Sequence, residues 1–360
     1  MASLDALRGF DMLWIIGGDA LVVSVADLTH WRAATWAAGQ MEHAAWDGFR
    51  LYDLIFPLFV FLSGVAMPFS LSRRVERGDD RRALVLHALK RGLILVALGV
   101  VYNNGLFQMG LGEMRYPSVL GRIGLAYTGA ALIVLFTGVK GQARWLVGLV
   151  VGYWLALRFV PVPGIGAGHL TQEGSLAGWV DRALVPGQLF LGNHDPEGLL
   201  STLPAVGSAL AGALCGHLLR RADWSPERKT AVLLGAGAAS VAAGAAWHPW
   251  LPVNKNLWTS SFVLVTAGLS MLLLGVFYYL IDGRGWKRGA FPLQVIGANS
   301  ILIYLAGRLI DFGRPVDFFL GGLLGRLSEE AGAVVFWLGF LAVEWVFLWV
   351  LYRRRMFLKV

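Results

Sequence analysis

Runs of about twenty apolar residues recur along this chain and constrain its fold more than any other feature. A helix needs about twenty such residues to cross the hydrocarbon core of a bilayer. The sequence therefore predicts an all-α polytopic membrane protein with about ten transmembrane helices, and a short interfacial helix at 315–327. The ten windows are 9–28, 51–71, 90–108, 117–137, 144–161, 199–219, 229–247, 257–281, 291–311 and 332–352.

Composition agrees with a membrane protein and argues against other classes. Hydrophobic residues make up 56% of the chain and charged residues only 15%, whereas a soluble domain averages about 25% charged residues. The net charge is +8, but the basic residues lie between the apolar windows and form no single patch, so we expect no nucleic-acid partner. The single cysteine, Cys215, excludes a disulfide framework and a thiol metal site.

The distribution of basic residues predicts the orientation of the chain. If the N-terminus is cytoplasmic, the cytoplasmic gaps and the tail carry eighteen Lys and Arg and the outer gaps carry seven. This bias predicts that both termini are cytoplasmic. We see no cleavable signal, so the first span is expected to stay as an anchor. We expect one domain, 1–360, with a long Gly- and Pro-rich outer loop at 162–198.

The first span carries charged residues that are costly in a bilayer. Asp5, Arg8, Asp11 and Asp19 follow one another at spacings of 3, 3 and 8 residues, roughly one helical stripe. Asp5 and Arg8 could simply pin the helix end at the interface, but Asp19 lies about 16 Å further along the axis. Charge within a span usually faces a cavity or a partner. The stripe therefore predicts a polar pocket.

The segment around the second window contains a histidine suited to proton transfer. His43 precedes the window, Asp53 lies about one turn inside it, and an unperturbed histidine has a pKa of about 6.5. The alternative is an interfacial histidine that caps a helix beside Trp46. On spacing alone this structural interpretation is favoured.

Polar residues on the outer side allow both structural and functional interpretations. Asp195 and Glu197 precede the sixth window, where an N-cap and a favourable helix-dipole interaction would explain them. Asn254 and Lys255 precede the eighth window, where they could hold an anionic or hydroxylated ligand or form a solvated loop. Asn299, within the ninth window, is suited to a helix–helix hydrogen bond.

Several motifs together resemble one family of membrane enzymes. They are SLDALRG, HAAWDGFRLYDLIFPLFVFLSG, PSVLGRIGLAY, PVPG, DPEGLLSTLPA, PVNKNLWTSSFVL, GANSILIY and the basic tail YRRRMFLKV. In this order they resemble the heparan-α-glucosaminide N-acetyltransferase family over nearly the whole chain. We expect no counterpart of the family's large luminal N-terminal region, as in a minimal bacterial-type member.

The resemblance implies roles for individual residues. His43 matches the family's catalytic histidine, and Asp19 takes the position of an asparagine that assists it. Acetyl-CoA would be the acyl donor, entering from the cytoplasm. The resemblance does not identify the residues that bind it; from position and charge we infer Arg8, Lys90 and Arg91 as candidates for its phosphates, and Asp11 and Asn299 are further candidates for binding it. Candidates for binding the acceptor are Asp53, Asp195, Glu197, Asn254 and Lys255. No metal is expected.

The expected function is therefore transfer of acetyl from cytoplasmic acetyl-CoA to a sugar on the outer side of a bacterial inner membrane. His43 would act as a general base, or as a transient acetyl carrier, and Asp19 would orient it. The acceptor is either an amino group or a hydroxyl of a sugar, and the resemblance favours a homodimer. The alternative from another class is a transporter or flippase for a glycan or lipid precursor.

Overall fold

The computed structural model describes residues 1–105, 110 and 112–358, which form helices, turns and loops and no β-strand. Helices make up 73% of the structure. The α-helices of the described residues are α1 (Ala2–Leu13), α2 (Asp19–Thr29), α3 (Arg32–Gln40), α4 (Ile55–Met67), α5 (Arg73–Glu76), α6 (Arg81–Asn104), α7 (Val119–Phe136), α8 (Val139–Phe159), α9 (Leu176–Leu184), α10 (Thr202–Arg220), α11 (Pro226–Trp247), α12 (Ser260–Phe277), α13 (Lys287–Ala298), α14 (Ser300–Leu309), α15 (Gly313–Leu324) and α16 (Glu329–Arg353).

Eight helical stretches among the described residues are long and apolar enough to cross a membrane. A ninth is counted if α13 and α14, which meet at an angle of 59°, form one broken span. The all-α polytopic fold is thus confirmed, whereas the count of ten and the location of the termini stay predictions. The window 144–161 is helical as α8 but is not among the eight. The eight are Ala2–Thr29, Leu51–Glu76, Arg81–Asn104, Val119–Phe136, Thr202–Arg220, Pro226–Trp247, Ser260–Gly283 and Glu329–Arg353.

The described residues group into two compact units. Unit 1 contains residues 1–44, 50–55 and 273–358, and unit 2 contains residues 45–49 and 56–272. The polypeptide thus passes between the units around the second predicted span. The single domain expected from the sequence stays a prediction.

In unit 1, a glycine pair interrupts the first span and determines where Asp19 lies. The π-helical segment Trp14–Gly18 joins α1 to α2, and Gly17 within it has φ of 121°. Residues other than glycine rarely adopt that φ, and a Cβ at this position would also lie 3.1 Å from the ring of Trp337. Such π-bulges are frequent at functional sites. Asp19 begins α2 directly after this bulge.

The break between α13 and α14 lies at Asn299, which is buried. Its side-chain Nδ2 donates a hydrogen bond to the carbonyl of Met356 (2.9 Å), and its Oδ1 accepts one from the backbone N–H of Leu358 (3.1 Å). Asn299 therefore holds the C-terminal tail, and these recorded bonds correct the expectation of a helix–helix hydrogen bond.

The short helix expected at 315–327 is present as α15 (Gly313–Leu324). Val316 is buried, and the side chains of Phe318 and Phe319 are 82% and 77% exposed. With twelve residues, α15 is too short to cross a bilayer. Its apolar exposed side chains are compatible with the interfacial position that the sequence predicts.

In unit 2, small residues allow the helices to pack closely around an aromatic core. A Cβ on Gly64 would lie 1.8 Å from the carbonyl oxygen of Ala209, and one on Gly212 would lie 2.0 Å from that of Phe61. Helices α4 and α10 therefore approach each other at backbone distance, as small residues permit in membrane bundles. Trp258 is fully buried in this core.

Candidate functional site

His43 and Asp53 form a hydrogen-bonded pair in unit 1. The Nδ1 of His43 lies 2.8 Å from Oδ1 of Asp53. The carboxylate is buried, with 1% of its side chain exposed, whereas half of the imidazole is exposed. Ten residues separate them in the sequence, so the loop between α3 and the second span must fold back to bring them together.

Local backbone geometry explains why Asp53 lies against this loop. Residues Leu51–Leu54 form a 3₁₀-helix, and Arg50 before it is extended. The Oδ2 of Asp53 accepts hydrogen bonds from the backbone N–H groups of Arg50 (3.0 Å) and Ala44 (3.2 Å). The carboxylate therefore binds the loop at Ala44, directly after His43, and again at Arg50. These bonds satisfy a buried charge that would otherwise be costly.

The pair has the geometry of a general base with an orienting carboxylate. When Nδ1 donates to the carboxylate, the lone pair of a neutral imidazole is on Nε2. The carboxylate also stabilises the imidazolium that forms when Nε2 takes a proton, as in other histidine–carboxylate sites. The exposed half of the ring makes proton transfer with a bound molecule feasible.

The sequence predicts that Asp19 orients His43, but the recorded hydrogen bonds of Asp19 are to Tyr52 and Ala20. Its Oδ2 accepts a hydrogen bond from the hydroxyl of Tyr52 (3.1 Å), and its Oδ1 accepts one from the backbone N–H of Ala20 (2.7 Å). The ring of Tyr52 lies beside that of His43, with 4.9 Å between the centroids. Asp53, not Asp19, therefore makes the orienting contact with the imidazole, which corrects the expectation for Asp19.

On the outer loop of unit 2, Asp195 and Glu197 pair with Arg115. Two guanidinium nitrogens of Arg115 lie 2.8 Å from the two oxygens of Asp195, and Glu197 also contacts the guanidinium. Asp195 also accepts the backbone N–H groups of Phe190 and Glu197, both at 2.9 Å. Helix α10 begins only at Thr202. Asp195 is therefore not the N-cap of that helix, and in this structure both carboxylates are committed to a loop-stabilising cluster.

The pKa values of this cluster follow from burial and pairing. Burial alone would raise the pKa of Asp195, but the Arg115 guanidinium and two backbone N–H donors hold that pKa below its ordinary value. Burial raises the pKa of Glu197, against the opposing effect of the two arginines nearby, Arg122 and Arg115. For Arg115, burial is outweighed by its two carboxylate partners, so its pKa is raised. The stability of this cluster therefore depends on the guanidinium of Arg115.

Arg115→Met is expected to destabilise the protein by about 3–5 kcal/mol, because it leaves two buried carboxylates without their cation. The apparent melting temperature of detergent-purified protein should fall by roughly 5 °C. Arg326→Met, which removes an exposed arginine, is the matched control. An equal, small effect of both substitutions would contradict a stabilising role for the cluster.

Asp181, on α9 in the same loop, is buried, and one of its two carboxyl oxygens accepts a hydrogen bond. Its Oδ1 accepts the backbone N–H of Leu199 (2.8 Å), and its buried Oδ2 has no hydrogen-bond partner among the described residues. Burial raises its pKa from 3.8 to about 6, although the Leu199 bond opposes this. Its contribution to stability is therefore fully present below about pH 4 and is lost as the pH rises through 6.

Asp181→Asn should remove this pH dependence. The melting temperature of the variant minus that of wild type is expected to increase by a few degrees between pH 5 and pH 8. Only the wild type ionises a buried carboxyl over that range, so only the wild type loses stability. Thermal unfolding in detergent at several pH values measures the difference. A difference that stays constant with pH would show that Asp181 does not titrate in this window.

The PVNKNLW segment is part of the same outer region of unit 2. Asn254 is completely buried; its Nδ2 donates to Asp47 (3.0 Å) and its Oδ1 accepts the backbone N–H of Leu257 (2.8 Å). Lys255 is half-buried. The contacts of Asn254 indicate a structural role, and ligand binding by Asn254 and Lys255 stays a prediction.

His194 connects this segment to the long outer loop. Its Nε2 lies 3.0 Å from the carbonyl of Asn256, and its ring packs edge-on against Trp46, with 5.3 Å between the centroids. The indole N–H of Trp46 donates to the carbonyl of Leu170 (2.8 Å). Burial lowers the pKa of His194, which favours the neutral form of its ring. Residues 45–49, the long loop and the PVNKNLW segment thus meet within unit 2.

The residues expected to bind acetyl-CoA are distributed over both units. In unit 1, Arg8 pairs with Asp5 (3.4 Å), and the buried Asp11 has an Oδ2 with no hydrogen-bond partner in the described part of the chain. In unit 2, Lys90 is exposed on α6, and the guanidinium of Arg91 stacks on the ring of Tyr127 at 4.3 Å. The stripe of the first span is thus an ion pair followed by a buried carboxyl group. No set of three or more His, Cys, Asp or Glu side chains among the described residues could hold a metal ion.

Arg122, which is buried on α7, contacts oxygens near the start of α10. Its Nη2 donates to the carbonyl of Gly198 (3.1 Å) and contacts the hydroxyl of Ser201. Its guanidinium also lies 4.9 Å from the ring centroid of Trp258.

Sequence reasoning singled out neither Tyr52 nor Arg115. Tyr52 directly precedes Asp53, but no spacing rule indicates that its hydroxyl reaches the first span.

Two curated mammalian proteins are similar to this chain. The human heparan-alpha-glucosaminide N-acetyltransferase is 26% identical over 417 aligned positions, covering 100% of this chain and 60% of the human protein. The mouse protein of the same name is 26% identical over 375 positions, covering 89% of this chain and 56% of the mouse protein. The chain thus spans less than two thirds of the length of these relatives. No protein-family model matches it.

Proposed function

Because these similarities support membership of the heparan-α-glucosaminide N-acetyltransferase family, we propose that the chain is a transmembrane acetyltransferase. It transfers acetyl from cytoplasmic acetyl-CoA to a sugar on the outer side of the membrane. The host membrane is a bacterial inner membrane. Within unit 2, Lys90 and Arg91, which are consecutive on α6, supply positive charge for the phosphates of the coenzyme.

The observation that carries this proposal is the His43–Asp53 pair. Its 2.8 Å hydrogen bond joins a buried carboxylate to a half-exposed imidazole. Direct transfer of acetyl needs a base that removes a proton from the acceptor as it attacks the thioester carbonyl. His43 is that base. Asp53 acts through His43 as a positioning residue, since it holds the ring and stabilises its protonated form.

A route through acetyl-His43 is the second form of the same function. In that route His43 attacks the thioester, coenzyme A leaves, and the acceptor then takes acetyl from the imidazole. Incubating purified protein with radiolabelled acetyl-CoA and no acceptor distinguishes the two routes. Label retained on His43 supports the acetyl-enzyme, and its absence, together with transfer when a sugar is added, supports direct transfer.

Binding of acetyl-CoA tests the proposed function before the acceptor is known. A ligand that binds the native state raises its stability by about 2.7 kcal/mol at a concentration of 100 Kd. We expect acetyl-CoA to raise the melting temperature of detergent-purified protein, and ATP with acetate, which supplies an adenine nucleotide and acetate but no pantetheine arm or thioester, to have a smaller effect. An unchanged melting temperature at millimolar acetyl-CoA would contradict an acetyl-CoA-dependent enzyme.

A transporter or flippase for a glycan or lipid precursor is the competing function. One observation favours it, because the broken pair α13 and α14 resembles the discontinuous helices that carry transporter binding sites. Against it, Asn299 at the break makes its recorded hydrogen bonds to the C-terminal tail. Stabilisation by a glycan but not by acetyl-CoA would support the transporter.

The family relationship also favours a homodimer, which stays a prediction. Light scattering of the protein–detergent complex, with the detergent mass subtracted, measures this directly. A mass near 78 kDa, twice the chain mass of 39.1 kDa, is expected for the dimer. A mass equal to that of one chain would exclude it under those conditions.

A further inference from the structure

We propose that residues 45–49, here called the clamp segment, position His43 for acetyl transfer, and that Asn254 and His194 are positioning residues because they hold this segment. The inference rests on the proposed acetyltransferase function and adds residues of unit 2 to the groups that serve the reaction. It follows from the contacts that hold the clamp segment and from where Asp53 binds the chain on either side of it.

The long outer loop holds Trp46, the second residue of the clamp segment. The indole N–H of Trp46 donates to the carbonyl of Leu170 (2.8 Å), and its ring packs edge-on against that of His194, with 5.3 Å between the centroids. His194 is itself buried, and its Nε2 lies 3.0 Å from the carbonyl of Asn256. The indole is therefore fixed both by a hydrogen bond and by a ring that is held in place.

The next three residues are held by the PVNKNLW segment and by the hydrophobic core of unit 2. The Oδ1 of Asp47 accepts a hydrogen bond from Nδ2 of the buried Asn254 (3.0 Å). The N–H of Gly48 donates to the carbonyl of Val253 (2.8 Å). Phe49 packs against the buried core residues. Each residue from 46 to 49 thus has its own contact within unit 2, which is unusually firm attachment for a loop.

The two residues that flank the clamp segment are the backbone donors to Asp53. Ala44 directly precedes the segment and Arg50 directly follows it, and both N–H groups donate to Oδ2 of Asp53, at 3.2 Å and 3.0 Å. The Oδ1 of the same carboxylate lies 2.8 Å from Nδ1 of His43. A displacement of the clamp segment therefore displaces a donor of Asp53, and through this carboxylate it displaces the imidazole.

The chain between the clamp segment and His43 is too short to absorb such a displacement. Trp46 follows His43 by three residues, and three extended residues span at most about 11 Å. A misplacement of about 1 Å in a reacting group can lower a rate by about 10²-fold. Loosening the clamp segment is therefore expected to lower kcat, whereas the KM for acetyl-CoA should change little.

Asn254→Asp tests the proposal, because it places two carboxylates where an amide now donates to a carboxylate. The new side chain keeps an oxygen for the backbone N–H of Leu257, so the change is confined to the bond with Asp47. We expect the N–H groups of Ala44 and Arg50 to exchange with deuterium about 10- to 100-fold faster. Hydrogen exchange with electron-transfer fragmentation resolves single N–H groups and needs no acceptor.

The double variant Asp47→Asn/Asn254→Asp is the rescue. It exchanges amide and carboxylate and so restores the hydrogen bond with its direction reversed, which should return both exchange rates to within about threefold of wild type. Asp47→Asn alone keeps an acceptor oxygen for Asn254 and should have a smaller effect than Asn254→Asp. Glu173→Gln removes an exposed carboxylate from the long outer loop and is the matched control.

Trp46→Phe is a milder variant that tests the other side of the clamp segment. It removes the N–H that donates to Leu170 and keeps an aromatic ring, so we expect about 3- to 10-fold faster exchange at Ala44 and Arg50. Faster exchange confined to Gly48, in this variant or in Asn254→Asp, would show that the segment is held independently of the His43 loop and would overturn the inference. Unchanged exchange at all three N–H groups would overturn it as well.

The rate of acetyl transfer to D-glucosamine, used as the probe acceptor, shows whether the clamp segment acts through His43. In Asn254→Asp, kcat should fall about 10- to 100-fold, with less than a twofold change in the KM for acetyl-CoA. Combined with His43→Ala, Asn254→Asp should still lower the melting temperature but should lower the rate no further. A further fall in rate in that background would show that Asn254 does not act through His43.

The outcomes separate this inference from the function on which it rests. If acetyl-CoA stabilises the wild type and His43→Ala lowers the rate, but Asn254→Asp retains the wild-type kcat, the enzyme stands and the positioning role is wrong. If acetyl-CoA does not stabilise the wild type, the proposed function fails, and the positioning of His43 for acetyl transfer fails with it.

Discussion

His43→Ala is expected to lower the rate of acetyl transfer by about 10²–10⁴-fold, the contribution that a positioned general acid–base group typically makes. The substitution removes the imidazole but leaves the buried Asp53 with its two backbone donors, Arg50 and Ala44. The loop should therefore stay folded. The KM for acetyl-CoA should change little, since the imidazole is proposed to act on the acceptor proton.

The control for this variant is His87→Ala, which removes an exposed histidine from α6. It should retain the wild-type rate. Circular dichroism and the melting temperature of both variants show whether either loss reflects unfolding. A His43→Ala protein that transfers acetyl at the rate of the His87→Ala protein would remove His43 from the mechanism.

Asp53→Asn is expected to have the second-largest effect, lowering the rate by about 10²–10³-fold. An amide presents one oxygen and one NH₂ group where the carboxylate accepts three donors, from His43, Ala44 and Arg50. Either the imidazole loses its orienting acceptor or an N–H donor of the backbone faces the NH₂ group. A comparable exchange in a serine protease triad, a general example of this effect, costs about 10⁴-fold through the wrong tautomer.

The pH–rate profile separates orientation by Asp53 from simple stabilisation of the loop. If the carboxylate stabilises the imidazolium, the acidic limb of the profile should lie at a lower pH in Asp53→Asn than in wild type. Asp317→Asn removes an exposed carboxylate from α15 and should shift nothing. A uniformly lower rate with an unchanged profile would mean that Asp53 serves only the fold of the loop.

Much of the fold could be predicted from apolar windows alone, because a bilayer demands long apolar helices and tolerates few alternatives. The first span shows where this reasoning stops. Its window indicates one helix, whereas the structure has α1 and α2 separated by a π-helical segment. The Gly17–Gly18 pair allows the bulge, but hydropathy does not distinguish a bulge from a continuous helix.

The candidate site was only partly predictable for a related reason. The sequence analysis singled out His43 and both carboxylates, but it assigned the contact with the imidazole to Asp19, whereas Asp53 makes it. That contact depends on the 3₁₀-turn Leu51–Leu54 and on two backbone N–H groups, which have no signature in residue spacing. Asp195 shows the same limit, because its partner Arg115 lies 80 residues away in the sequence.

The most direct measurement is the rate of acetyl transfer from acetyl-CoA by wild type, His43→Ala, Asp53→Asn and the double variant. If Asp53 acts through His43, adding Asp53→Asn to His43→Ala should cost nothing further, so the double variant should match His43→Ala. Multiplication of the two single losses would show that the residues act independently. A wild-type rate in His43→Ala would contradict the central claim that acetyl transfer takes place at this histidine.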